Sequence, residues 1–346
     1  MHTAPSLVRP RQTWRDLGSH FVEALSDPWY RHIVALQDCL QQVTVQFWSE
    51  RGVRAVNLPI TTGSISSPMG LGSDSSPVQV ELLGVPTYLA DSMQFALEYG
   101  CRFTERGCYY VMPSFRGEDA DATHLCQFFH SEAEIPGGFD DVVEVVGDYL
   151  RAMAAGLLVG AADDVRATAG SLDHIAALAE RTEPFARVRF DEAVALLGGA
   201  EGLVHTDPDD GWRTLTRRGE QQLMAELGEF VWVTHWDHLA VPFYQAYEDQ
   251  SAERHVALNG DLLFGIGEIV GAGERHQSSA EARAALAEHE VGEREYDWYL
   301  TMRDVSPLRT AGFGLGMERF IAWIVQHDDI RDLQLLPRFN GVESAP

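Results

Sequence analysis

Apolar positions recur at spacings of three and four between Asp27 and Gly52, where Ile33, Leu36, Leu40, Val43 and Phe47 form one stripe and Gly52 stands at the end. That spacing predicts a helix with one buried face. Val53 to Ile60 reads as a short strand closed by Pro59, and Thr61 to Pro77, rich in Gly and Ser, as a mobile loop of the length of a lid. From Val78 to Glu134 the pattern turns strand-rich, with strands at Val78–Leu83 and Cys108–Phe115 and a helix around Ser92 to Tyr99. A charged loop follows from Gly117 to Thr123, and strand resumes over Phe128 to Ile135. Asp140 to Ala200 is predicted helical, on one stripe of Val142, Val145, Val146 and Leu150 and another of Ile175, Leu178 and Ala179. Strands return at Phe230–Thr234 and His255–Val270, and the last helix is expected from Met317 to Gln326 behind a glycine-rich turn. Strands and helices come in blocks without regular alternation, which predicts an α+β fold with a largely antiparallel sheet.

Composition narrows the chemistry. With 346 residues, 45% of them hydrophobic, the chain can bury a sizeable core, and disorder is excluded as its main state. The 26 basic residues against 52 acidic ones give a net charge of −26, and every basic residue is arginine. Without lysine there is no pyridoxal Schiff base, no Walker P-loop and no kinase-type strand lysine. The acidity argues against a general affinity for nucleic acid and leaves room for a local arginine-lined pocket. Cys39, Cys101, Cys108 and Cys126 make no CxxC pair and are expected as reduced thiols in a cytoplasm. Neither a signal peptide nor a membrane span is expected, since no apolar run approaches the required length.

Three segments carry candidate chemistry. In Thr310-Ala-Gly-Phe-Gly-Leu-Gly-Met-Glu-Arg-Phe320, Gly312, Gly314 and Gly316 let the backbone lie close to a flat ligand, and Arg319 in the first helical turn offers a seat for phosphate. In Asn259-Gly-Asp-Leu-Leu-Phe-Gly-Ile-Gly-Glu268, a hairpin turn at Phe264-Gly265 makes paired positions sum to 529 and places Asp261 opposite Glu268. Facing carboxylates repel, and a divalent cation between them makes the arrangement tolerable; one of them pointing into solvent is the alternative. In Phe115-Arg116-Gly117-Glu118 and His124-Leu-Cys-Gln-Phe128, an arginine ending one strand and a histidine on the returning strand form a cationic clamp for a triphosphate. An exposed hairpin with a salt-bridged arginine is the plainer alternative. His235-Trp-Asp-His238 lacks a nearby third ligand and is read as structural, and the acidic stretch around Asp163 as a solvated face.

Taken in this order, the segments resemble motif 2, the metal strand and motif 3 of class II aminoacyl-tRNA synthetases, in the asparaginyl/aspartyl branch and nearer to its asparaginyl members. Val53-Arg-Ala-Val-Asn-Leu-Pro-Ile60, Tyr88-Leu-Ala-Asp-Ser-Met-Gln94, Phe185-Ala-Arg-Val-Arg-Phe-Asp-Glu-Ala193, Val231-Trp-Val-Thr234 with Pro242-Phe-Tyr244, and Asp329-Ile-Arg-Asp332 with Leu336-Pro-Arg338 add to the similarity. The resemblance implies an antiparallel sheet flanked by helices. It divides the chain into an extension at 1–24, a catalytic domain at 25–340 that includes a helical segment at 140–225, and a tail at 341–346. It implies ATP and Mg²⁺ as cofactors. Arg116 would contact the α-phosphate and the reacting carboxylate, Glu118 the adenine amino group, and His124 and Arg319 the γ-phosphate. Phe128 would stack on adenine with Arg319 on its other face, and Asp261 and Glu268 would bind Mg²⁺. Ser92, Gln94, Gly312 and Gly314 would line the amino-acid pocket, Gly316 the ATP site, and Arg275 would meet the side-chain carbonyl of an Asp- or Asn-like substrate. Leu97 stands where aspartate-specific members carry lysine, and Pro59 would lie at a homodimer interface.

Departures from the family pattern shape the expected function. About 25 residues precede the first core helix, too few for the family's anticodon-reading OB-fold, which is therefore expected to be missing. Thr123 stands where the family has arginine, Gln127 where it has glutamate and Gly271 where it has serine. The loop Thr62-Gly-Ser-Ile-Ser-Ser-Pro-Met69 lacks the glutamate that holds the substrate's amino group, with Asp74 or Asp91 as replacements. The expectation is an ATP-dependent ligase that forms an aminoacyl-adenylate and passes it to a non-tRNA acceptor, ammonia or a small amine. The alternatives are genuine tRNA charging and a non-catalytic binding paralogue.

Overall fold

The computed structural model describes residues 7–67, 76–200 and 202–345. The first long helix, α1 (Pro28–Glu50), begins where Asp27 caps it, accepting from the Trp29 amide. Its stripe of Ile33, Leu36, Leu40 and Phe47 is buried, as the periodicity requires. After a shorter helix, α2 (Gln94–Cys101), come α3 (Phe139–Gly160), α4 (Arg217–Leu227) and α5 (Met317–Val325). The main sheet has eight strands: β1 (Arg54–Ala55), β2 (Cys108–Phe115), β3 (Gln127–Pro136), β4 (Ala186–Arg189), β5 (Val231–Thr234), β6 (Asn259–Phe264), β7 (Gly267–Glu274) and β8 (Thr310–Gly316). Their spatial order is β1-β2-β3-β8-β7-β6-β5-β4. Only the edge pairs β1/β2 and β4/β5 are parallel. The α+β, largely antiparallel architecture expected from the sequence is the one observed.

One face of the sheet is the core. Trp48 of α1 stacks on Tyr109 at 5.6 Å, and Tyr149 of α3 meets Phe313 of β8 at 5.9 Å. Along β8, Ala311, Phe313 and Leu315 are buried in this core cluster. Side chains alternate across a strand, so Gly312, Gly314 and Gly316 belong to the opposite face.

Several elements differ from the sequence-based expectation. The glycine-rich segment before α5 is not a turn but the central strand β8. Val53–Ile60 supplies only the two-residue β1; Thr61–Thr62 pairs instead with Val85–Leu89 in a small separate sheet that also contains Val78–Leu82. Strand β4 interrupts the stretch expected to be helical, as do Val204–Thr206 and Arg213–Leu215 within the longer helical segment to 225. The lid expectation for Pro68, Met69 and Asp74 lies outside the described residues. Among the described residues, no helix is long and apolar enough to cross a membrane.

Candidate active site

The site is shaped by what the central strands leave out. Across β3, β8, β7 and β6, one row of partners reads Glu132, Gly314, Gly271, Asp261 and the next reads Glu134, Gly312, Gly273, Asn259. Four glycines thus floor a trough with polar side chains on both flanks. A Cβ on Gly312 would overlap the Glu134 carboxylate and the Gln94 amide, and one on Gly273 the Gln245 amide. The row of Gly312 and Gly273 is therefore filled by side chains around it. The row of Gly314 and Gly271 faces the first cavity.

A cavity of about 300 Å³ occupies one end of this trough, lined by Ser92, Gln94, Arg116, Glu132, Asp261, Glu268, Gly314 and Arg275. Arg275 is 3% exposed and its Nη2 donates to the Glu134 carboxylate at 3.2 Å, while Nη1 donates to Gln245 Oε1 at 2.9 Å. Burial alone would lower the Arg275 pKa, but Glu134, Tyr244 and Glu98 raise it, so the guanidinium stays charged. Gln94 Nε2 donates to the same Glu134 carboxylate. Leu97 beside it is fully buried.

Glu132, on the same face of β3, was not among the sequence candidates. It accepts from the Ser92 hydroxyl at 2.7 Å and from Tyr110. Burial pushes its carboxyl up to about 8. Asp91, offered from the sequence as a replacement anchor for an amino group, is otherwise engaged: it accepts from the Ser66 amide and hydroxyl, the Ser67 amide and the Ser92 amide. Next along β3, His130 Nδ1 lies 2.9 Å from Ser114 Oγ and 3.2 Å from Glu132 Oε1. Burial, with Arg116 and Arg319 nearby, lowers its pKa to about 3, so this ring is neutral. The signal that marks these residues in sequence is polar alternation, His130, Glu132 and Glu134, on a strand that proves central.

A second cavity of about 200 Å³ adjoins the first and is lined by Arg116, Glu118, His124, Phe128, Glu268, Gly314, Gly316 and Arg319. Arg116 and His130 line both cavities. The Arg116 guanidinium sits 5.6 Å from the centre of the Phe128 ring. Its buried Nε has no hydrogen-bond partner among the described residues. An arginine so placed is a seat for an anion. Among the described residues Arg116 makes no salt bridge, which sets aside the alternative of a salt-bridged hairpin arginine. Glu118 accepts from the Ser76 amide at 2.7 Å, and His124, half exposed, lies 3.1 Å from Asp121 Oδ1. Arg319 donates to the carbonyls of Glu268 at 2.8 Å and Thr123 at 3.2 Å and remains 4.0 Å from the Glu268 carboxylate.

The acidic pair is brought together by a register different from the one expected. Asp261 is opposite Gly271, and Glu268 is opposite Leu263. A β-bulge at the Leu262/Leu263 step leaves Ile269 as the extra residue and turns Glu268 onto the trough face. The hairpin turns at Gly265-Ile266, with Gly265 at φ +59°, the left-handed backbone that favours glycine. The position a Cβ on Gly271 would take is 3.2 Å from Glu268 Oε1 and 3.6 Å from Asp261 Oδ1, so both carboxylates converge there. Burial, then Glu268 and Glu220, hold the Asp261 carboxyl well above its ordinary range. Glu220 of α4 is raised to about 7 by burial and Glu268. Crowded carboxylates of this kind are relieved by a divalent cation. No cluster of three or more His, Cys, Asp or Glu among the described residues cages a metal, so a cation here would complete its shell with water and substrate oxygens.

His235 and His238 serve different neighbours: His238 Nε2 meets the Gln245 carbonyl at 2.8 Å, and His235 Nδ1 the Thr234 hydroxyl at 2.9 Å. His238 Nδ1 also lies 2.9 Å from His289 Nε2, so His235 and His238 are both held by hydrogen bonds within the fold.

Comparison with known proteins places the chain. The model of the family "tRNA synthetases class II (D, K and N)" matches residues 16–340. The asparagine–tRNA ligase of Koribacter versatilis is 27% identical over 293 residues, covering 83% of this chain and 64% of the relative. That of Thermoplasma acidophilum is 25% identical, covering 94% of this chain and 74% of the relative. Among solved structures, asparaginyl-tRNA synthetase from Pyrococcus horikoshii complexed with asparaginyl-adenylate superposes with a TM-score of 0.83 at 24% identity, over 94% of this chain and 73% of that one. The Entamoeba histolytica asparaginyl-tRNA synthetase gives 0.81 at 20% identity, over 98% and 74%. The chain thus spans about two thirds to three quarters of the length of these relatives. The expectation of a non-tRNA acceptor does not survive this finding, because the relatives matched along most of the chain are tRNA ligases. That expectation leaned on the short segment before the first core helix and on net charge, and net charge averages over the whole surface and says little about one local site. With its family model matched over nearly the whole sequence and its fold superposed on asparaginyl enzymes, the chain belongs to the class II tRNA synthetases of the D, K and N group.

Proposed function

We propose that the two adjoining cavities are halves of one adenylate-forming site and that the protein charges tRNA with asparagine. The observation that carries this reading is Arg116, an arginine that lines both cavities at once and has no carboxylate partner among the described residues. It stands where an amino-acid carboxylate and an α-phosphate meet.

In the first cavity, Glu132 is the carboxylate positioned for the α-ammonium of the substrate, with Ser92 beside it. Arg275, held by Glu134 and Gln245, faces the side chain as a donor to its carbonyl, and the apolar Leu97 leaves no second cation to favour a carboxylate. This donor set suits a carboxamide. In the second cavity, Phe128 offers a face for adenine, Glu118 an acceptor for its amino group, and Arg319 and His124 donors for the terminal phosphates. Asp261 and Glu268 would hold Mg²⁺. When bound, Mg²⁺ would neutralise phosphate charge.

Little acid–base chemistry is required. The amino-acid carboxylate attacks the α-phosphorus in line, the bond to the bridging oxygen breaks and pyrophosphate leaves. Arg116 stabilises the charge that develops between the two reactants. A terminal ribose hydroxyl of tRNA then attacks the adenylate carbonyl, and AMP departs. Two copies are expected to pair along α1, where Val34 and Val45 are exposed apolar residues, with Pro59 at the interface.

The test is exchange of labelled pyrophosphate into ATP across the twenty amino acids, followed by charging of tRNA with labelled asparagine. Asparagine-dependent exchange and acid-precipitable aminoacyl-tRNA are the expected results. Exchange with aspartate alone would sink the assignment of the side-chain pocket, and exchange without tRNA charging would sink the acceptor.

A further inference from the structure

One cation beside the nucleotide cavity has no part in the roles above. Helix α4 starts next to the loop joining β2 and β3, and its first turn is capped by Thr216, whose hydroxyl accepts from the Gly219 amide at 3.2 Å. From that turn Arg217 Nη1 donates to Thr123 Oγ1 at 3.4 Å. Arg319, from the far side of the sheet order, donates to the carbonyl of the same Thr123. Thr123 lines the second cavity. Two guanidiniums from separate elements therefore bracket one residue of the cavity wall.

The surroundings give this arrangement a purpose. Asp261, Glu268 and Glu220 crowd the same end of the site, so a polyanionic ligand meets three carboxylates there as well as the cations. Arg319 already spends hydrogen bonds on the Glu268 and Thr123 carbonyls. Arg217 is exposed, and its contact with a neutral hydroxyl at the long end of hydrogen-bond distance is a weak tether. A guanidinium–phosphate bond, charged on both sides, is shorter and stronger than one to a neutral hydroxyl. With adenine at Phe128 and the α-phosphate at Arg116, as proposed above, Thr123 belongs to the part of the cavity wall that remains for the terminal phosphates.

We infer that Arg217 is a phosphate-binding residue: its guanidinium swings from Thr123 onto the terminal phosphates of the nucleotide, closing the cavity from the α4 side. This rests on the adenylate-forming reading, and the experiment separates the two. Calorimetric titration of the full chain, with Mg²⁺ present, compares a non-hydrolysable ATP analogue with AMP. For Arg217→Ala the analogue is expected to bind about tenfold or more weakly, with AMP unchanged, since a hydrogen bond to a charged group is lost only where terminal phosphates exist. Arg217→Lys should recover part of the loss. Thr123→Arg in the Arg217→Ala background should recover more, because it returns a cation to the same wall. Unchanged affinity for the analogue in Arg217→Ala overturns the inference, and so does an effect confined to the KM for tRNA, which would make Arg217 an acceptor contact. If the unsubstituted chain binds neither nucleotide, the adenylate reading itself fails.

Discussion

Arg275 and Arg116 line the same first cavity and are kept in opposite ways. Arg275 is buried against an equally buried Glu134 and a glutamine amide, so its charge is answered within the protein before any ligand arrives. Arg116 has a buried Nε with no partner among the described residues, with the Phe128 ring and the neutral His130 beside it. The first is a rigid template that selects a shape and a dipole. The second is an unanswered charge that a reacting anion completes. One site therefore holds a specificity element that also supports the fold and a catalytic element on which the fold does not depend.

The largest effect expected from this contrast is on stability. Arg275→Ala leaves the buried Glu134 carboxyl without its counter-charge and with the Gln94 amide as a remaining donor, which should lower unfolding free energy by about 3–5 kcal/mol and remove amino-acid-dependent exchange. Chemical denaturation measures the first and pyrophosphate exchange the second. Arg116→Ala should leave the denaturation midpoint in place yet reduce kcat about a hundredfold or more, the scale of losing one donor to a developing charge. A matching loss of stability in that variant would erase the distinction.

Glu132 sharpens the comparison through pH. Its carboxyl binds a proton more tightly in the folded chain, near 8, than in the unfolded one, near 4.5. The stability it contributes is complete at low pH and is lost as pH rises through that window. Relative to Glu132→Gln, the native chain should therefore lose stability between mildly acidic and mildly alkaline conditions. The KM for the amino acid should fall over the upper part of the same range, as the carboxylate that meets the ammonium ionises. A pH-independent difference between the two chains would remove Glu132 from that role. The smallest effect is expected of Gly271→Ala: its Cβ at 3.2 Å from Glu268 Oε1 needs only a slight shift of one flexible carboxylate, so stability changes by less than about 1 kcal/mol. The Mg²⁺ concentration for half-maximal exchange should nonetheless rise.

What was readable from sequence follows the strength of the local signal. The stripe of α1 and the bounds of β2 come directly from periodicity, because apolar spacing is set by which face is buried. Strand β8 has the sequence pattern of a turn because glycine is ordinarily a strand breaker; here its absence of side chain is the reason it is used. The pairing of Asp261 with Glu268 was placed in the right hairpin and the wrong register, since a bulge has no signature at Ile269 itself. Arg116, Glu118, His124, Phe128, Gln94 and Arg275 do reach two adjoining cavities. Glu132 and Glu134 are not legible because alternating acids on a strand have the pattern of a solvated face, and only the fold buries them.

The four-glycine floor has a consequence for how this protein can change. A trough made by omitting side chains has its depth fixed at the backbone, so any substitution at Gly271, Gly273, Gly312 or Gly314 adds atoms and none removes them. Drift at these positions runs in one direction, toward a shallower site. New room for a larger substrate has to be carved from the walls, at Gln94, Gln245 or Glu132, where shortening a side chain is still open to selection.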